Sequence, residues 1–470
     1  MNRLIVSIVS AAVLAGCAPM RDGVPEVQPI APQAVGLHAA ATAMEWPAAR
    51  WWQRYGDAQL DRLVEVALAG SPDMVAAEAR LRQAQAAVGR SGAALLPTVE
   101  ANGTLTRQHY SEHYVYPEPL GGSVGSDARL ALDARYELDL WGKYRSGLDA
   151  ARSSAEAAQA NVQWARNVLV LAVVQGYADL QNAWAQQHVL AQSLARADDV
   201  LSLTQARYEA GLDTQVEVRQ AEAQRAEVRV QASQVENDIA RFRHQLAALQ
   251  GAGPDTALSL EPATLQMPAQ ARPAEVPLAL LGRRPDIVAA RWQAEAAGAE
   301  VQAAKAAFYP NVSLAAFVGL LTLNTATLFD QGSRMAGVTP AISLPLFEGG
   351  RLNADLDARR AQRDEAVAGY NQAVLGGVRE VADALDSLRL VADEARHQRD
   401  ARLALDAAYA LARDRYAAGL GDYLTVLSAQ AGVLEQTRRD TALAARAWKL
   451  DAGLMTALGG GYAEPAQTAF

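Results

Sequence analysis

The one side chain in this 470-residue sequence whose type and position promise covalent chemistry is Cys17, the only cysteine. It closes the stretch Leu14-Ala15-Gly16-Cys17, which looks like a bacterial lipobox. In that motif small residues admit the lipoprotein signal peptidase, and the cysteine becomes the lipidated new N-terminus. Ahead of it Arg3 forms a minimal positive region, and Leu4 to Leu14 is an apolar run too short to span a bilayer as a mature helix. Ala18, rather than Asp, follows the cysteine, which by analogy with enteric lipoproteins implies sorting to the outer membrane. One thiol also rules out an intrachain disulfide framework and any multi-thiolate metal site. His109 and His113 have a metal-like spacing, but they fall in a predicted loop with Tyr110, Glu112 and Tyr114, so no metal is expected. Gly121-Gly122 and Gly125 lack the helix and lysine of a phosphate cradle, and no Ser/His/Asp constellation stands out. Neither an enzyme nor a cofactor is expected.

Composition narrows the classes further. The net charge is -9, from 43 basic and 52 acidic residues, which argues against nucleic acid as a partner because phosphate binders cluster Lys and Arg. Hydrophobic residues make up 50% of the chain but aromatics only 6%, and roughly a hundred residues are alanine. Alanine buries little surface, so the composition suits long, closely packed helices better than a thick globule, and no central core is expected.

The elements that must position any site are announced by proline. None of the 19 prolines lies between Pro119 and Pro254 or between Pro345 and Pro465. In the first tract apolar residues recur at helical spacing through Val162, Leu169, Val173, Leu180, Leu190, Leu194 and Leu201. The second behaves likewise through Val378, Val381, Leu385, Leu388, Leu403 and Leu411. Each tract is interrupted once, by Tyr208-Glu-Ala-Gly211-Leu212 and by Tyr416-Ala-Ala-Gly419-Leu420. Gly211 and Gly419 suit the position after a helix end that needs positive φ, so two helical hairpins are predicted.

Their long arms span Asp149 to Arg207 and Asn353 to Arg415, roughly 90 and 95 Å at about 1.5 Å per residue. The returning arms, Asp213 to Gln250 and Asp422 to Leu458, are shorter. Ser71-Pro72-Asp73 and Arg284-Pro285-Asp286 open two further helices, running to Leu96 and Tyr309, with proline where a helix start prefers it. Pro72–Val99 aligned on Pro285–Val312 shares twelve of twenty-eight residues, and Arg207–Ala223 on Arg415–Ala431 eight of seventeen. The chain is therefore an internal duplication. The expected organisation is a signal peptide over 1–16, a Pro/Ala-rich tether over 17–45, a first repeat over 46–250, a linker over 251–284, a second repeat over 285–458 and a tail over 459–470.

Between helices the period changes from 3.6 to 2. Over Ala128–Leu140, Leu130, Leu132, Tyr136 and Leu138 alternate with Arg129, Asp133, Arg135, Glu137 and Asp139. A soluble sheet with one wet face shows this pattern, and so does a transmembrane strand with lipid on one side and water on the other, in which case the five charged residues face a lumen. Fainter strands are predicted over Pro97–Arg107, Pro310–Val318 and Ala336–Leu346, joined by outward loops Gln108–Asp127 and Gly319–Arg334. Open edges are not tolerated in lipid, so four strands per chain must be completed by other chains. Two copies would give a filled barrel; three give twelve strands and a wet lumen, which the charges favour.

With these residues in place, the chain resembles the TolC/OprM-like outer membrane factors, specifically the lipoprotein branch that serves tripartite efflux pumps. The likeness rests on the repeated Pro-Asp helix starts, the Leu96-Pro97 and Tyr309-Pro310 junctions, Tyr136-Glu-Leu-Asp-Leu-Trp-Gly142, Leu344-Pro-Leu-Phe-Glu-Gly-Gly350, and the two Tyr-x-Ala-Gly-Leu turns. It implies a mostly helical fold with transmembrane β: a homotrimeric twelve-stranded β-barrel continued by a periplasmic α-helical barrel with a mixed α/β equatorial belt. Irregular segments near Trp46–Gly70, 251–284 and Gly459–Phe470 would form the belt. Trp51 and Trp52 read either as an interfacial cluster or as packing residues of that belt, and Trp141 and Phe347 as markers of the inner lipid interface.

The resemblance further implies passive conduction of drugs or other small toxic compounds. Its partners would be a periplasmic adaptor, an inner-membrane transporter that supplies the energy, and outer membrane lipid. The exposed turn residues Gly211, Leu212, Asp213, Gly419, Leu420 and Asp422 are expected to dock the adaptor. Family members narrow this end with acidic and aromatic rings; Glu217 stands at the acidic position, with Tyr208 and Tyr416 as aromatic candidates for a periplasmic gate. Its counterpart in the repeat is Thr425, and Ser428 stands where another carboxylate is often found. Two other roles remain open at this point: a channel for type I protein secretion, and a lipid-anchored helical spacer.

Overall fold

The computed structural model describes residues 20–21, 25–37, 46–267, 276 and 278–464. Cys17, the signal and the second half of the C-terminal tail, 465–470, lie outside the described residues. The principal elements in chain order are α1 (Ala58–Gly70), α2 (Pro72–Ala93), β1 (Thr98–His109), β2 (Val124–Leu138), α3 (Lys143–Glu209), α4 (Gln215–Leu249), α5 (Pro285–Ala306), β3 (Asn311–Thr322), β4 (Arg334–Ser343), α6 (Arg351–Ala417) and α7 (Tyr423–Ala457). The duplication is visible in the lengths: α3 and α6 each have 67 residues, α4 and α7 each have 35, and α2 and α5 each have 22. The chain divides into two compact units, one holding the sheet with residues 80–158 and 290–370, the other holding residues 30–79, 159–289 and 371 onward.

In the first unit the strands form one antiparallel sheet in the order β1-β2-β3-β4. β1 and β4 each leave one edge unpaired. Pro340 sits within β4, a terminal strand of the sheet, the kind of place where proline is tolerated. The predicted strands are present but shifted: β2 ends at Leu138, not Leu140, and β1 runs on through His109, which the sequence had placed in a loop. Asp139, expected on the lumen face, instead lies past the end of β2 and caps α3. Its carboxylate accepts from the backbone N–H of Tyr144 (3.2 Å) and Arg145 (2.8 Å). A carboxylate at a helix start satisfies orphan N–H groups and meets the positive end of the helix dipole.

The second unit corrects two expectations. Ala58–Gly70 is a regular helix where irregular structure was expected. Asp57 caps it by accepting from Gln59 N–H (2.8 Å) and Leu60 N–H (3.1 Å), and its other oxygen takes the Tyr177 hydroxyl (2.6 Å). The buried face Leu60, Leu63, Val64, Ala67 has helical spacing, but Pro47 and Gly56 just before it mask the signal. This unit also has a hydrophobic core, contrary to the alanine argument. Trp51, Trp52, Tyr55, Leu60, Tyr177 and Trp448 lie within it, with Tyr55 and Trp448 ring centroids 4.2 Å apart. The two tryptophans are thus packing residues. A few large aromatics at the right places do what the average composition concealed. Arg284, before the second Pro-Asp helix start, is buried and ion-paired to Asp286 (2.6 Å) and Glu380 (2.7 Å), as a buried guanidinium must be.

Among the described residues no helix is long and apolar enough to cross a membrane.

Candidate functional site

The two hairpin turns are built alike. At the end of α3, Gly211 has φ +73, its N–H donates to Tyr208 C=O (2.9 Å) and the Leu212 N–H to Arg207 C=O (2.9 Å). At the end of α6, Gly419 has φ +74, with its N–H on Tyr416 C=O (3.0 Å) and the Leu420 N–H on Arg415 C=O (2.8 Å). Both are Schellman closures, which satisfy two orphan carbonyls and require a residue that tolerates the left-handed region. Leu212 and Leu420, the residues after each glycine, are 65% and 71% exposed. Val216 and Leu424 are exposed beside them. A polar hairpin end therefore carries solvent-facing apolar side chains at the positions expected to dock a partner.

The returning helices start differently. α4 opens with a capping box in which Glu217 accepts from the Thr214 N–H (2.8 Å) and hydroxyl, while Thr214 in turn accepts from Val216 N–H (3.2 Å). The bonds from Thr214 hold the Glu217 carboxyl below its ordinary range. Glu217, expected to contribute an acidic gate ring, is thus folded back as a helix cap. In α7 the roles reverse: the carboxylate is the cap itself, Asp422, accepting from the Thr425 N–H (2.7 Å) and hydroxyl (2.8 Å), and these bonds lower its pKa. The replacement of Glu217 by Thr425 in the repeat is therefore an exchange of capping schemes.

Tyr416 and Tyr208 occupy equivalent positions with opposite environments. Tyr208 is 45% exposed and Tyr416 only 1%. Tyr416 packs with Val200, Ala221, Ala412, Tyr423 and Val426, joining the ends of both hairpins. Its hydroxyl donates to Asp213 and lies 3.3 Å from the Thr204 hydroxyl, which itself donates to Val200 C=O. Arg207 completes the group: it grips Asp213 with two bonds (2.9 and 3.1 Å), donates to the Tyr416 carbonyl (2.8 Å), and stands 4.4 Å from the centre of the Tyr416 ring. Bidentate ion pairing plus a cation on an aromatic face is among the stronger polar arrangements available to a side chain. Arg207 and its hydrogen bond place the Asp213 carboxyl below its usual value, while burial, with the Asp213 bond, pushes the Tyr416 phenol up.

Of the site residues expected from sequence, Asp213 and Tyr416 come together, Tyr208 stands apart, and Glu217 and Asp422 serve as caps. Arg207 and Thr204 were missed. A signal existed for Arg207, since Arg-Tyr opens both aligned turns; nothing in the sequence pointed to Thr204, whose counterpart is Ala412. The β2 charges are partly paired: Arg129 binds Asp133 (3.0 Å), which also accepts from Asn102 (2.9 Å), and Glu137 accepts from Tyr144. Trp141 is half exposed, stacks on Tyr309 at 4.9 Å and donates to Pro310 C=O (2.7 Å); Phe347 is exposed.

Comparison with known proteins agrees with this architecture. The profile of the family described as outer membrane efflux protein matches residues 63–252 and 276–460, one stretch for each repeat. The fusaric acid resistance protein FusA of Burkholderia cepacia is 38% identical over 74% of this chain and 67% of its own length. The multidrug resistance outer membrane protein MdtP of Escherichia coli is 34% identical over 98% of this chain and 96% of its own. Among solved structures, the outer membrane protein VceC of Vibrio cholerae superposes with a TM-score of 0.85 at 37% identity, covering 88% of this chain and all of VceC.

Proposed function

The chain belongs to the outer membrane efflux protein family, and from that premise we propose that three copies close one conduit through which small toxic compounds leave the cell. The observation that carries the trimer is the sheet. Four antiparallel strands with one apolar face and both edges unpaired cannot stay open in hydrocarbon. Three copies of four strands make a twelve-stranded barrel wide enough for a water-filled lumen. Arg129, Asp133, Arg135 and Glu137 would line it, and Cys17 would carry the lipid that holds each chain to the outer membrane. The names of MdtP and FusA, for multidrug and fusaric acid resistance, favour drug-like cargo over an exported polypeptide. On this reading conduction is passive, and coupling falls to an inner-membrane transporter reached through a periplasmic adaptor.

Adaptor docking is assigned to the two turns. Gly211, Leu212, Asp213 with Gly419, Leu420 and Asp422 present a backbone shape that only glycine permits, with exposed leucines beside it. The periplasmic gate is assigned to the same end, with Tyr416 latched, Tyr208 free to move and Glu217 maintaining the helix start. The test is complementation of a deletion strain that accumulates drugs. The chain should restore efflux and migrate as a trimer in mild detergent, whereas Gly211→Glu or Gly419→Glu should abolish resistance with the trimer still assembled and exported. Full complementation by both variants would remove the turns from docking. A secretion defect without drug accumulation would replace efflux with protein export.

A further inference from the structure

Strand register shows that the two repeats treat the same sheet face differently. On β1 and β2 the face carrying Arg129, Asp133 and Arg135 also carries Glu100 and Asn102. Followed onto β3 and β4, that face becomes apolar or small: Phe317 and Leu321, then Met335 and Gly337. The opposite face is apolar along its middle, with Leu132 paired to Val318 and Val318 to Ala336, as a lipid-facing surface should be, and turns polar only at one end, at Arg107, His109, Thr322 and Arg334. A barrel wall that is merely wet has no reason to place Leu321, half exposed, on its water side.

Phe317 lies at the seam. It is the direct cross-strand partner of Asp133 on one side and of Gly337 on the other. The end of its ring fills the space a Gly337 side chain would take, with ring atoms 2.6 and 2.7 Å from where a Cβ would stand. Covering an edge-strand glycine with an aromatic ring stabilises a sheet, and that accounts for Phe317 alone. It does not account for Leu321 and Met335, which extend the apolar strip along the strands. Nor does it account for the Arg129–Asp133 ion pair, which runs along β2 on the neighbouring strand with Asp133 directly opposite Phe317.

We propose that Phe317, Leu321 and Met335 form a contact strip for amphipathic cargo in transit, molecules with an apolar body and a charged group. The inference rests on the reading of this face as the lumen wall. An apolar body gains by leaving water against the strip, at about 25 cal/mol per Å² covered, while its charge stays beside paired carboxylate and guanidinium groups. A surface rather than a pocket keeps the residence short, which conduction requires. A hydrophilic ion has nothing to gain there, so the strip discriminates by apolar area.

The assembled trimer in a planar bilayer tests this with tetraphenylphosphonium against tetramethylammonium as blockers of potassium current. The wild type should be blocked by the phosphonium and not by the small ammonium. Phe317→Ser should require about tenfold more phosphonium, and Leu321→Ser, at an exposed position that does not threaten folding, about threefold more. If Phe317→Ser fails to assemble, Leu321→Ser carries the test. No phosphonium block of the wild type, or equal block of wild type and Leu321→Ser, overturns the strip. Labelling of Phe317→Cys and Val318→Cys by a membrane-impermeant maleimide separates the two levels. Reaction at Val318→Cys alone would overturn the lumen assignment itself, whereas reaction at Phe317→Cys with unaltered block would sink only the cargo strip.

Discussion

Gly211 and Gly419 close their helices with the same two backbone bonds, yet the side chains around them have separate fates. At the first turn Arg207 and Asp213 reach across to the second hairpin and hold Tyr416 by ring, carbonyl and hydroxyl. At the second, the residues equivalent to Asp213 and Thr204 are Gly421 and Ala412, so Arg415 has no carboxylate to grip and Tyr208 stays half exposed. Duplication has preserved the part that any two hairpins need, a capped turn, and altered the part that distinguishes one joint from another. A ring built from such repeats has a latched joint inside each chain and cannot build the same latch with the second turn's residues. On the gate assignment above, opening would start where the latch is missing.

Breaking the latch should have the largest effect. Arg207→Ala leaves Asp213 and the Tyr416 carbonyl without their cation and should cost about 2 kcal/mol of local stability, read as faster amide exchange over both hairpin ends and a larger open-channel conductance. Arg415→Ala, which removes an exposed side chain and its long bond to the Leu420 carbonyl (3.4 Å), should change either by less than about 0.5 kcal/mol. Equal effects at the two arginines would show that the asymmetry carries no energy.

Helix caps come next. Thr214→Ala and Asp422→Ala should each destabilise the start of their helix by about 1 kcal/mol, measured by exchange at the first turns of α4 and α7. The two should be alike, since the schemes differ only in which partner supplies the carboxylate. Glu217→Gln keeps a capping-box residue and should leave cation selectivity unchanged; a loss of selectivity would restore Glu217 to the gate.

Gly421→Asp sharpens the comparison from the other side. A Cβ at Gly421 meets Arg415 Cβ at 3.4 Å, an ordinary contact, and its backbone needs no positive φ. A carboxylate there should pair with Arg415, slow exchange at the second turn by about 0.5 kcal/mol and reduce conductance.

Acid has the smallest effect at neutral pH and a definite sign. Asp213, Glu217 and Asp422 are all held below their ordinary values, so each contributes stability that is complete above the unfolded-state pKa and lost as pH falls through the lowered one. Between pH 7 and 5 neither turn should change. Below about pH 4 both lose cap strength, but only the first also loses its grip on Tyr416, so conductance should rise more steeply in wild type than in Arg207→Ala.

Much of this architecture was legible because it is local. Gly211 and Gly419 announced their turns because no other residue adopts positive φ at so little cost. Proline-free tracts located α4, α6 and α7 to within two residues and α3 to within six, and the alternation around Leu130 and Arg129 located β2. Reading failed at Asp139 and Glu217 because a local pattern had two meanings, and at the core because the information lay in distant segments. Asp139 was assigned to the lumen by extending the alternation of β2 two residues too far, when the chain had already turned to cap α3. Glu217 looked like a free carboxylate because a capping box and an acidic ring have the same residue at the same place. The core formed by Trp51, Trp52, Tyr55, Tyr177 and Trp448 was hidden by averaging, since five residues in different segments do not move a composition.

The sequence by itself determined the duplication, the helix ends and the alternation of the strands, since each depends on dihedral preference and on neighbours within a few residues. Only the tertiary structure decided that Tyr416 is buried and Tyr208 is not, that Arg207 belongs to the latch, and that Phe317 stands between Asp133 and Gly337. Those outcomes depend on distances between segments some two hundred residues apart and on strand register, where a shift of one residue sends every side chain to the other face.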